Sequence, residues 1–158
     1  MTNSITYFKN KELAIIFSKY PHVDFRYSTP HDTPEEKQDK LEKPFINLDE
    51  LIVTIIYQPK NTQVKQYKFI IPNNYTWDGA SIPRLFWRLI GSKTDPRFVI
   101  ASMVHDVLCE NHNYVENNRY LSTLVLEKLC EAGGANSLVC FAIKHSVDNF
   151  QKLVGGWK

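Results

Sequence analysis

None of the apolar runs in this chain is long enough to cross a bilayer. Neither sign of charge dominates: 19 Lys and Arg stand against 17 Asp and Glu, a formal net charge of +2. A broad basic face is thereby excluded, and nucleic acid is not a favoured partner. Cysteine is scarce. Cys109, Cys130 and Cys140 are odd in number and form no CxxC pair, which argues against a disulfide scaffold or a dithiol motif. They read as small core residues of a reduced compartment. MTNSITYFKNKELAIIF has no basic start followed by an apolar run, so no secretory signal is expected there and a cytoplasmic location is. No internal repeat is visible.

The 158 residues, 43% apolar and 13% aromatic, are enough for one domain, 1–158, with a real core. KELAIIFSKY is a short apolar run that periodicity cannot assign to strand or helix. Ser28 to Pro44 is rich in charge and proline and reads as a charged surface loop inserted in the domain. Leu51 to Tyr57 is β-branched and aromatic. Val64 to Ile71 puts Tyr67, Phe69 and Ile71 on one face and Gln66 and Lys68 on the other. With the turn residues of QPKNTQ between them, the two runs predict a hairpin. Three helices should follow. Arg97 to Cys109 comes after Asp95-Pro96, a good helix start. Asn118 to Ala132 carries Leu121, Leu124, Val125 and Leu129 at helical spacing and stops at Gly133-Gly134. Asn136 to Leu153 is the last. The expected class is α+β: a β-hairpin in a small antiparallel sheet, then three packed α-helices.

Two stretches carry polar chemistry in apolar settings. In MVHDVLCE (Met103 to Glu110), His105 and Asp106 close a helix that is apolar nearly all round, so the helix is expected to be buried. A buried carboxylate needs a partner, a hydrogen bond or a metal. Adjacent helix residues point about 100° apart, so the two side chains are read as separate groups aimed at one neighbouring space. In YTWDGASIPRLFW (Tyr75 to Trp87), Asp78-Gly79 is a turn signal and Ser81 a helix cap. Arg84 sits among Trp77, Phe86 and Trp87 and wants a carboxylate or a ring face. Asp106 is the natural candidate. Exposed carbonyls beside an aspartate also suit a hard cation. His145 and Asp148 share a helix face and read as a surface or core-edge pair.

From Tyr57 to Trp157, about two-thirds of the chain, the sequence resembles a family of bacteriophage and prophage genomes catalogued as domain of unknown function 1353. The residues that carry the likeness are Pro72, Tyr75, Asp78, Ala80 to Arg84, Ala101, His105, Asp106, Leu108, Arg119 and Trp157. The arrangement is distantly similar to that of secreted phospholipases. That likeness implies His105 as general base, Asp106 as cation ligand and carbonyls near Asp78 to Ala80 completing the shell of a divalent cation, calcium or zinc. The family resemblance implies other phage proteins as partners, and a bacterial cytoplasm or a virion as the location. An acid is expected four residues after Arg119, where this chain has Thr123. Glu127 or Asp148 are the available substitutes. His-Asp metal phosphohydrolases also need an earlier helical histidine, and neither His22 nor His31 sits on a convincing helix.

Two functions follow. One is a cation-assisted hydrolase of esters or phosphoesters using His105 and Asp106, with Thr123 in the place of the orienting acid, in a cleft opened by the Asp78 to Arg84 loop. The other is a virion-associated or protein-binding domain, in which Arg84 or Arg119 clamps Asp106 as a structural lock.

Overall fold

The computed structural model describes residues 3–79 and 96–157. Ser81 and Arg84, and with them the expected Ser81 cap and Arg84 clamp, lie outside the described residues. The first half is β-structure. Strands β1 (Ile5–Lys9), β2 (Leu13–Phe17), β5 (Leu51–Tyr57) and β6 (Lys65–Ile71) form one antiparallel sheet in the order β1-β2-β5-β6. A second, smaller sheet has the order β3-β4-β7, from β3 (Val23–Phe25), β4 (Phe45–Asn47) and β7 (Thr76–Trp77).

The expected hairpin is β5–β6, in register from Leu51 against Ile71 to Tyr57 against Lys65. Tyr67, Phe69 and Ile71 are buried, and Gln66 and Lys68 are exposed. The ambiguous run before it is strand: Leu13, Ile15 and Phe17 point inward and pair with β5. Its inward set alternates with period two, which fixes the register once one face is covered. Asn47 ties the two sheets together. Its Nδ2 donates to the carbonyls of Pro72 at 2.9 Å and Ile71 at 3.3 Å, while its backbone N–H donates to Tyr75 O.

The charged stretch between β3 and β4 is partly helical rather than all loop. Helix α1 (Pro34–Glu42) buries no residue. Local chemistry makes it: Thr33 Oγ1 accepts from Glu36 N, proline opens the first turn, and Glu35 and Glu36 face the positive end of the helix dipole. Arg26–Asp39 at 2.7 Å and Lys40–Asp32 at 2.8 Å hold it to its flanks.

The second half is helical, as expected. Helix α2 (Pro96–Glu110) is buried along Phe98, Val99, Ala101 to His105, Val107 and Leu108. A 3-10 turn (His112–Val115) leads to α3 (Arg119–Ala132), and α4 (Ser137–Val154) follows. Asn118 and Asn136 cap these two helices by accepting from Leu121 N and Leu138 N. At the end of α3 the two glycines divide the work. Gly134 takes the left-handed conformation, φ +100°. Gly133 has φ −76° but a Cβ there would lie 2.2 Å from Arg97 O, so it admits the start of α2. One core joins sheet and helices, with Phe17, Ile55, Trp77, Met103 and Val125 in it. The architecture is α+β. Among the described residues no helix is long and apolar enough to cross a membrane.

Candidate functional site

Among the described residues, four separate elements line one cleft of about 270 Å³. Helix α2 supplies Asp106, Cys109 and Glu110, which at spacings of three and four share one helix face. Strand β7 and the turn after it supply Trp77 and Asp78. Lys43, the residue after α1, and Gln151 of α4 complete the lining. Each is positioned by ordinary folding chemistry. Gly79 at φ +77° makes the turn that follows Asp78. Trp77 stacks on Phe45, ring centroids 5.4 Å apart, and its Nε1–H donates to Ser102 Oγ of α2 at 3.1 Å. That bond and the stack fix β7 against α2, and so bring Asp78 to Asp106.

Asp78 and Asp106 line the same cleft, close enough for the one to act on the other. Burial, then the charge of Asp78, then Glu110, push the Asp106 carboxyl well above its ordinary range. Lys43 acts weakly the other way. Burial thus favours the neutral form of Asp106. Glu110 accepts from Tyr75 Oη–H at 3.1 Å. Burial and that acid raise the Tyr75 phenol above its usual value. Cys109 is pushed up to about 12 by burial, Asp106 and Glu110, so it stays a thiol. Among the described residues, no three His, Cys, Asp or Glu side chains form a group able to hold a metal ion.

His105 does not share this space. The expectation that His105 and Asp106 aim at one neighbouring volume fails because the 100° step between them turns the imidazole into the core. His105 is 0% exposed and is not among the cleft's lining residues. Cys109 Sγ lies 3.6 Å from its Nδ1 and 3.7 Å from its Nε2. Burial drives its pKa down to about 4, so it is neutral at pH 7.

Arg119 does not clamp Asp106 either. Its Nε–H donates to Asp148 Oδ1 at 2.9 Å, joining α3 to α4. Thr123 Oγ1 lies 3.3 Å from the same oxygen and 3.0 Å from Tyr120 O. So Asp148 brings an acid from α4 to the side chain at position 123, though an arginine already engages it. Glu127 turns to Lys128 Nζ at 3.0 Å. His145 packs edge-on against Phe141.

Three lining residues escape sequence reasoning. Lys43 looks like one charge among many in a solvated stretch. Glu110 and Gln151 look like ordinary exposed helix residues. The signal for Glu110 was present: it falls four residues after Asp106, one turn along the same face.

A curated protein of Sinorhizobium fredii (strain NBRC 101917 / NGR234), "Uncharacterized protein y4jT", is 42% identical over 43 residues. That stretch is 27% of this chain and 13% of the other protein's length, so the chain spans a small part of that relative. No solved structure matches. One family profile covers residues 53–137, from β5 to the first turn of α4. It takes in Asp78, His105, Asp106 and Thr123 and leaves Lys43, Gln151 and Trp157 outside. On that match, over more than half its length, the chain belongs to the family described as Protein of unknown function (DUF1353).

Proposed function

We propose that the Asp78–Asp106 cleft is the working site of a cation-assisted hydrolase of esters or phosphoesters, acting in a phage or prophage setting. The observation that carries this reading is the carboxyl pair itself. Two acids from different elements, Asp78 and Asp106, meet at the wall of one cleft, with a third acid, Glu110, beside them. Perturbed acids in clefts mark functional sites. The donor set suits calcium better than zinc. It offers hard carboxylate oxygens from Asp78 and Asp106, while the nearest thiol stays protonated and the nearest imidazole is sealed in the core. A bound cation would supply Lewis acidity toward the substrate's carbonyl or phosphoryl oxygen.

The chain's own groups do the rest. Lys43 draws a negatively charged substrate to the mouth. Trp77 and Cys109 give the cleft apolar walls that limit water. His105, expected as general base, sits behind Cys109. In this reading it reaches a substrate water only through movement of that side chain.

The test is a thermal-melt titration with calcium and with zinc, paired with assays on p-nitrophenyl butyrate and bis(p-nitrophenyl) phosphate. Calcium should raise the melting temperature and be required for turnover, and Asp78→Asn should remove both effects. Full turnover in a chelator, or an unchanged melt at millimolar calcium, would overturn the reading.

A binding role without catalysis is favoured by one observation. Arg119, Asp148 and Thr123 form a polar link between α3 and α4, and α4 exposes Leu138, Phe141 and Leu153. On this second reading α4 is a face for another phage protein. It predicts no turnover with either chromogenic compound and no response to calcium.

A further inference from the structure

The segment after α4 folds back through two glycines with different tasks. Gly156 has φ +72°, a left-handed backbone that favours glycine. Gly155 has an ordinary φ of −81°, yet a Cβ there would lie 2.1 Å from Gln151 Oε1 and 2.8 Å from Trp157 Cδ1. Only the absence of a side chain lets Gln151 and Trp157 meet over it. The Trp157 ring then stacks on His112, centroids 3.7 Å apart and planes 14° apart. Its Nε1–H donates to Gln151 Oε1 at 3.1 Å.

That bond fixes which end of the amide faces which way. An indole N–H is a donor only, so the atom it meets must be the amide oxygen. Gln151 also lines the cleft. With its oxygen committed to Trp157, the group it has left to offer is the NH2, on the other branch of Cδ. Among the described residues no acceptor takes those two hydrogens. Among the described residues the cleft is otherwise short of donors. Asp78 and Glu110 repel an electron-rich oxygen, and Lys43 sits on a flexible stem. A fixed amide is the pre-organised donor such a site needs.

We propose that Gln151 orients substrate in this cleft, its NH2 donating to the doubly bonded oxygen of an ester or phosphoester, and that Trp157 is the positioning residue that aims it. The inference rests on the ester or phosphoester reading of the cleft and extends it.

Two variants separate aim from fold. Gln151→Glu keeps an oxygen for Trp157 and removes both donors. Trp157→Phe keeps a ring on His112 and removes the N–H. The first readout is the Gln151 side-chain NH2 resonance in a nitrogen–proton correlation spectrum, assigned by its loss in Gln151→Glu. Two probes are titrated with calcium present: dimethyl phosphate, an anionic phosphodiester, and methyl acetate, a neutral ester. The resonance should move saturably with one of them, which names the substrate class. Trp157→Phe should weaken that probe roughly three- to tenfold, the size of one lost hydrogen bond, and raise KM more than it lowers kcat. Gln151→Glu should abolish the binding. A resonance unmoved by either probe overturns the proposal, as does Gln151→Glu binding like wild type. The wild-type titration needs only the Gln151→Glu assignment, so it decides the matter even if Trp157→Phe unfolds. If a probe binds through Gln151 but neither nitrophenyl compound is turned over, the hydrolase reading fails and Gln151 remains a ligand-binding residue.

Discussion

Adjacent residues on α2 make opposite demands on pH. His105 has its pKa lowered from 6.5 to about 4 by burial. Below pH 6.5 the unfolded chain takes up a proton that the folded chain refuses, so stability falls as pH drops through that window. The loss approaches about 3 kcal/mol by pH 4. Asp106 behaves in the reverse sense. Its pKa is raised above 3.8 by burial and by Asp78, so folding retains a proton that the unfolded chain releases. Stability from that group is whole below pH 3.8 and declines as pH rises toward the folded value. Asp106→Asn, which resembles the protonated acid, should therefore be about 1–3 kcal/mol more stable than wild type at pH 7. The gain should vanish near pH 3.5. Urea unfolding at a series of pH values reads both effects. Loss of stability in Asp106→Asn at pH 7 would mean that an ionised Asp106 is held by a cation. His105→Gln should flatten the acid limb of the same profile and leave the alkaline side alone.

Between elements, the contacts that matter are few and local. Arg119 to Asp148 is the ion pair that joins α3 to α4, with side chains 28% and 22% exposed. That exposure places it between a surface pair and a buried one. A double-mutant cycle with Arg119→Leu and Asp148→Asn should give a coupling of about 1 kcal/mol. Gly133 carries more. Adding one methyl group pushes a Cβ to 2.2 Å from Arg97 O, a backbone atom that cannot swing aside. Gly133→Ala should cost about 1–3 kcal/mol in chemical unfolding, while Gly134→Ala is penalised by its φ of +100° instead. Helix starts, the glycine stop and the β5–β6 hairpin were legible because each is written in contiguous residues: Asp95-Pro96, Gly133-Gly134, and the alternation of Tyr67, Phe69 and Ile71. The β3-β4-β7 sheet was not. Its strands are two or three residues long, too short for any period, and Trp77 joins it only through pairing with Phe45, 32 positions away. Helix α1 was hidden for another reason. It buries nothing, so its only signature is the Thr33-Pro34-Glu35-Glu36 start.

At the scale of the whole chain, the cleft exists because four distant stretches converge, and sequence reasoning saw two of them. Asp78 and Asp106 were legible as acids in apolar surroundings. Lys43 and Gln151 were not, since nothing local distinguishes them from solvated residues. The direction of His105 depended on which side of α2 the sheets cover. This convergence makes the proton on Asp106 a reporter for the entire site. A cation bound between Asp78 and Asp106 has to displace that proton, so its apparent affinity should rise about tenfold per pH unit while Asp106 remains protonated. At a hundred times the dissociation constant a ligand adds about 2.7 kcal/mol, or roughly 5–10 °C in a chain of this size. Melting curves with a fixed calcium concentration should therefore show a larger shift at pH 8 than at pH 6. Phosphate-free buffers keep the ion free in solution. Asp106→Asn removes the displaceable proton and one ligand together, and should leave no shift at either pH. A calcium shift of equal size at both values would place the ion somewhere other than on this pair. The cleft would then have to be explained by its donors, Lys43 and Gln151, rather than by its acids.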